Sequence, residues 1–146
     1  MGRLKIDITG SVIASVNIKV RISDINYGNH VGNDAFVSII HEARMQWLQK
    51  NNFTELDIDG AGLIMSDLAI KFKNECFYGE EVAVSIIACE RSRVGFDLYY
   101  TLNTIRNNAT ILLAEAKTGM VCYNYELKKI TQIPDGLIKI LNPHSD

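Results

Sequence analysis

Residues 33–48 carry a single long helical stripe: Phe36, Ile39, Ile40, Ala43, Trp47 and Leu48 recur at three- and four-residue spacing. After it the period changes. From Leu63 onward the apolar residues come in strand-length runs, separated by Tyr78-Gly79-Glu80, Arg91-Ser92-Arg93 and Asn107-Asn108. Parallel neighbours need a crossover of a dozen or more residues, so turns this short make the strands antiparallel. A helix with so wide an apolar stripe must be wrapped by something large. The order predicts an α+β domain: an antiparallel sheet of about five strands curled around one central helix.

The boundaries follow from the same patterns. Residues 10–25 read as a half-buried strand with Val12, Ala14, Val16, Ile18, Val20 and Ile22 on one face. The helix begins at Asn33 or Asp34, either of which can cap it, and ends at Asn51-Asn52. Glu42, Arg44, Gln46, Gln49 and Lys50 are expected in solvent or against a subunit partner. Residues 53–61 form a connection with a short helical turn. Further strands cover 62–74, 81–92, 94–106 and 110–126, the first with Ile64, Leu68, Ile70 and Phe72 on one face. Asn107 and Asn108 suit the positive φ of a tight hairpin. Pro134-Asp135 opens a short C-terminal helix, residues 134–141.

The 146 residues suit a single domain, 1–146, and 47% hydrophobic residues supply a core for it. A formal net charge of −2 argues against a nucleic-acid surface, which needs a net basic face. No apolar run approaches the ~18 residues of a membrane span. Lys5 and Asp7 interrupt the N-terminal segment, so it does not read as a signal peptide, and Ile6 breaks the myristoylation pattern. Cys76, Cys89 and Cys122 are read as buried, reduced thiols of a cytoplasmic protein. The three His and three Cys show no metal-ligand spacing.

Candidate chemistry concentrates between Val20 and Leu48, where a strand hands over to a helix N-terminus. Backbone N–H groups there have no intrahelical partner. Around them stand Asp24, Asn26, His30 and Asn33. The pattern SD-x-N-x-x-x-HV-x-N, leading into the long helix, resembles the hotdog-fold acyl-CoA thioesterases of the 4-hydroxybenzoyl-CoA thioesterase-like family. Typical members read R-x-x-D-x-D-x-x-G-H-V-N-N, or S-D-L-D-M-N-Q-H-V-N-N in the plant enzymes, and Arg21, Ser23, Asp24, His30, Val31 and Asn33 fall on these patterns. Downstream, FYGEEVAVSI and LAEAKTGMVCYN resemble two further family segments, so the likeness spans residues 15–126.

The resemblance implies thioester hydrolysis of an acyl-CoA or acyl-carrier-protein substrate. It implies a homodimer, often a dimer of dimers, with sites between subunits and no metal or cofactor. The Asn33 backbone N–H would polarise the thioester oxygen. Arg93, flanked by Arg91 and Ser92, would meet the CoA phosphates. The family's key acid, however, is replaced by Asn26, an amide that neither takes a proton near neutral pH nor attacks as a carboxylate. Three readings stay open: Asp24 or His30 as the base; binding without hydrolysis; or Asp24 and Asn26 as turn-capping groups. Glu42 is expected in a salt bridge or interface, and Asp67 on the outer, wetter face of the sheet.

Overall fold

The computed structural model describes residues 2–143. Its order is β1 (Ser11–Lys19), α1 (Asn33–Lys50), β2 (Gly62–Phe72), β3 (Glu81–Arg91), β4 (Gly95–Arg106), β5 (Ala109–Asn124), β6 (Lys129–Ile130) and α2 (Asp135–Leu141). The sheet is antiparallel throughout, in the order β1-β3-β4-β5-β2, with the two-residue β6 added beside β5. This is the hotdog architecture, with α1 as its filling. Strand β6 is the element that the sequence patterns do not reveal.

Alternation on the strands decides what faces the helix. Val82, Val84 and Ile86 of β3, Leu98, Tyr100 and Leu102 of β4, and Ala114, Ala116, Met120 and Cys122 of β5 are buried at even positions. They close on Phe36, Ile39, Ile40, Ala43, Trp47 and Leu48 of α1. Asn107 and Asn108 take φ of 53° and 63° in a two-residue hairpin between Arg106 and Ala109, as their side chains allow.

Four local expectations are corrected. The first strand stops at Lys19, because the Asp24 carboxylate accepts the Arg21 N–H (2.8 Å) and closes a 3₁₀ turn over Ile22–Asp24. Ile22 is therefore exposed, and a register shift between Val12 and Ala14 leaves Val12 exposed as well. On β2 a bulge between Met65 and Asp67 switches the faces. Leu63 and Met65 point to α1 before it, Leu68 and Phe72 after it, and Ile64 is not on that face. The connection after α1 has no helical turn; Ile58 and Ala61 close a tight loop with positive φ at Asp59 and Gly60. Finally, Cys89 is exposed, with Thr9 Oγ1 at 3.1 Å, while Cys76 and Cys122 are buried. Among the described residues no helix is long and apolar enough to cross a membrane.

Candidate active site

Helix α1 starts at Asn33 with Gly32 as its N-cap, and no side chain caps it. Neither Asn33 nor Asp34 serves as the cap. The first intrahelical bond is Phe36 N–H to Gly32 O, so the N–H groups of Asn33, Asp34 and Ala35 have no backbone acceptor among the described residues. They sit at the positive end of an 18-residue helix dipole. An oxygen gaining negative charge would be stabilised there.

The loop before the helix is a tight hairpin. Asn26 N–H donates to His30 O (2.9 Å), and Ile25 and Val31 form a bridge. Asn29 supplies the left-handed residue, at φ 65°. Asn26 Oδ1 accepts the Gly28 N–H at 2.9 Å, an Asx turn. A Cβ at Gly28 would stand 3.0 Å from His30 Nε2 and 3.2 Å from Asn26 Oδ1. Glycine thus leaves a small gap between the imidazole and the amide.

The candidate groups divide between the two sides of α1. Asp24 is buried and faces the groove between β1 and α1. Its carboxylate accepts the Arg21 N–H and has the Arg21 guanidinium 3.8 Å away. His30 turns the other way, towards the β2–β3 loop. Its Nδ1 lies 3.2 Å from Val31 O. A carbonyl only accepts, so Nδ1 is the donor in this contact, which in a neutral imidazole leaves the lone pair on Nε2. Nε2 faces Glu75 Oε1 at 3.9 Å.

Glu75 has no sequence motif of its own. It reaches His30 because the β2–β3 loop is fastened against the helix start: Val31 N–H donates to Cys76 O (2.8 Å). Arg106, at the end of β4, secures the loop from behind. It donates to both Glu80 oxygens (2.9 and 2.7 Å) and to Glu75 O (3.0 Å), and lies over the Phe77 ring. The Arg106 hydrogen bond holds the Glu80 carboxyl below the usual range. Burial, with Glu80 adding to it, pushes the Cys76 thiol up to about 11, so it stays protonated and is no nucleophile.

Arg91, Ser92 and Arg93 lie at the far end of the sheet. β3 runs from Glu81, beside the His30 loop, to Arg91, eleven residues or roughly 33 Å of strand away. Within one chain they do not meet His30. The Ser92 hydroxyl closes the β3–β4 turn on Val94 and Gly95, and Glu90, Asp67 and Asp97 stand around the same cleft. Asp67 is on the outer face, as expected, paired with Lys117 at 2.8 Å, which holds its carboxyl low. Glu42 makes no ion pair among the described residues and accepts from Gln46 instead.

Arg44 differs most from its reading. It is buried inside the chain, with Nε 3.3 Å from Glu55 Oε2 and Nη1 3.3 Å from the Tyr100 hydroxyl. Its position four after Ile40 and three before Trp47 is the sequence signal for this: it lies on the apolar stripe. Among the described residues no group of three potential metal ligands converges.

The model of the thioesterase-like superfamily matches residues 20–141, and the chain belongs to that superfamily. Among solved structures, the fold matches a putative thioesterase from Pseudomonas aeruginosa at a TM-score of 0.79 and 19% identity, covering 88% of this chain and 97% of that one. It matches a 1,4-dihydroxy-2-naphthoyl-CoA thioesterase from Synechocystis at 0.77 and 21% identity, covering 87% and 93%. A 4-hydroxybenzoyl-CoA thioesterase, an Asp-to-Asn mutant complexed with 4-hydroxybenzoyl-CoA, matches at 0.76 and 14% identity, covering 88% and 97%. Curated proteins yield no match.

Proposed function

We propose that this chain hydrolyses an acyl-CoA, or acyl-carrier-protein, thioester to a free acid and a thiol, with His30 as the base. The observation that supports this reading is an uncapped helix start at Asn33 three residues after an imidazole whose Nδ1 lies on Val31 O and whose Nε2 borders the Gly28 gap. The thioester oxygen sits at the Asn33 N–H. His30 Nε2 takes a proton from water, and the water oxygen attacks the carbonyl carbon. The oxyanion forms at the helix N-terminus, and the imidazolium is stabilised by the Glu75 carboxylate. Collapse breaks the C–S bond, and the proton passes from Nε2 to the leaving sulfur. Asn26 holds the loop and borders the attacking water. Asp24 keeps a structural role. No step of this mechanism draws on a metal or a cofactor.

The same reading includes a homodimer and, by pairing of dimers, a homotetramer. β2 is an edge strand with exposed Ile64, Met65, Leu68 and Phe72, a surface that isolated proteins avoid presenting. A two-fold pairing of antiparallel β2 strands sets the start of one beside the end of the other. It would carry Arg91 and Arg93 of the second copy towards the first copy's site, where their guanidinium groups suit CoA phosphates. Free Cys76 and Cys122 fit a reducing cytoplasm.

A second reading, binding without hydrolysis, is favoured by Asn26, since its amide stands where the family pattern has a carboxylate. Free-thiol release over an acyl-CoA panel separates the two. Turnover in wild type that is lost in His30→Ala supports hydrolysis. No wild-type turnover, with activity gained in Asn26→Asp, overturns it in favour of binding.

A further inference from the structure

We propose that the groove between α1 and β2 takes the acyl group, and that Arg44 reads a neutral oxygen, a hydroxyl or carbonyl, at its far end. β2 runs antiparallel to α1 from this side. Phe72 packs edge-to-face on Phe36 near the helix start, at 5.5 Å between centroids, and Leu68 and Met65 follow towards its middle. A cavity of about 370 Å³ opens there, walled by Val37, Ile40, Leu63, Met65 and Leu68. That size falls within the usual range for small-molecule sites. It begins one helical turn beyond Asn33, so for its thioester end the proposal rests on the hydrolase reading above.

The floor of this apolar cavity is polar. His41 and Arg44 both engage the Glu55 carboxylate. Arg44 Nη1 also donates to the Tyr100 hydroxyl, which is 2.7 Å from Thr118 Oγ1. Burial raises the Tyr100 pKa, keeping that hydroxyl neutral. The remaining nitrogen, Nη2, has no protein acceptor among the described residues. Yet no buried side-chain nitrogen or oxygen there lacks a partner. Nη2 of this otherwise buried arginine therefore keeps some accessible surface, and the cavity that Arg44 lines is where a ligand would meet it.

Charge decides the class of oxygen. The Arg44 cation is already balanced by Glu55, so a second carboxylate would be desolvated without a counter-charge. A hydroxyl or carbonyl accepts the spare N–H at no such cost. A plain alkyl end leaves that N–H unpaired behind it. The reach is also bounded. Arg44 is eleven residues beyond Asn33, or about 16 Å of helix, and helical side chains lean back towards the N-terminus. An aryl group or a medium-length chain fits; a long saturated chain does not.

The test uses non-hydrolysable CoA thioethers carrying matched aryl groups: a ring hydroxyl, its methyl isostere and a carboxylate. Calorimetry on the wild-type protein should find the hydroxyl bound roughly ten- to a hundredfold tighter than the methyl compound, the range of hydrogen bonds to charged groups. The carboxylate should bind weakest. Arg44→Met should level the hydroxyl-to-methyl ratio. If that variant unfolds, the double variant Arg44→Met, Glu55→Leu leaves no lone buried charge and should level it equally. Equal or tighter wild-type binding of the methyl compound, or no binding of any of the three, overturns the proposal. Hydroxyl discrimination without thiol release from any acyl-CoA sustains the floor and overturns the hydrolase reading instead.

Discussion

The two sides of the α1 N-terminus carry a carboxylate each, and the two have opposite fates. Asp24, on the β1 side, is buried and engaged with its own loop through the Arg21 N–H. Glu75, on the β2 side, is largely exposed and faces the one imidazole at the mouth of the site. Asp24, eight residues before the helix cap, is thus held by its own loop, and the acid 45 positions from His30 is the one beside it. Proximity in sequence gave Asp24 a local hydrogen bond within reach, and a side chain with a strong local partner is not free to act elsewhere.

The contrast breaks most sharply at His30. His30→Ala should lower kcat for thiol release by roughly 10²–10⁴-fold, the usual share of a general base, with unchanged thermal unfolding. A retained rate would move the base to the Asp24 side. Gly28→Ala places a methyl 3.0 Å from Nε2, in the gap where the attacking water is needed. Its kcat should fall about tenfold or more, since misplacement near the reacting atoms is costly. A KM effect without a kcat effect would argue against that gap.

The carboxylates themselves come next. Glu75→Gln should cost on the order of tenfold in kcat/KM without a change in melting temperature. Asp24→Ala should do the reverse. It leaves the Arg21 N–H without its acceptor, at about 1–3 kcal/mol of stability, visible in urea unfolding. A stability loss in Glu75→Gln with none in Asp24→Ala would invert the comparison.

The smallest effect tests the clamp behind Glu75. The folded pKa of Glu80 is lowered, chiefly by the Arg106 hydrogen bond. Its contribution is therefore present above its unfolded pKa, near the ordinary 4.5, and is lost as pH falls through the lower folded value. The stability gap between wild type and Glu80→Gln should be constant near neutrality and close in acid. A gap that widens in acid would show that the pair is not what holds the loop.

Much of the fold was legible in the sequence. The change of period after residue 50, and turns too short for crossovers, left an antiparallel sheet around one helix as the simplest arrangement. The local errors share a cause. The bulge at Met65–Asp67, the 3₁₀ turn at Ile22–Asp24 and the two-residue β6 are each single-residue or single-bond events, and an alternating pattern does not register them.

The candidate site was legible in part. A strand-to-helix hand-over bearing Asp24, Asn26, His30 and Asn33 follows from the order of residues alone, as does the absence of a carboxylate at Asn26. The free N–H groups at Asn33 are a property of any helix start, so the sequence by itself determined where the proposed mechanism can stabilise an oxyanion. Only the tertiary structure decided which acid lies beside His30. Glu75 reaches His30 through the Val31–Cys76 hydrogen bond and the Arg106 clamp, contacts between residues 45 and 31 positions apart. The burial of Arg44 beside Glu55 and Tyr100 is of the same kind. Side-chain partners at such separations are set by how the sheet curls around the helix, and no local pattern encodes that curvature.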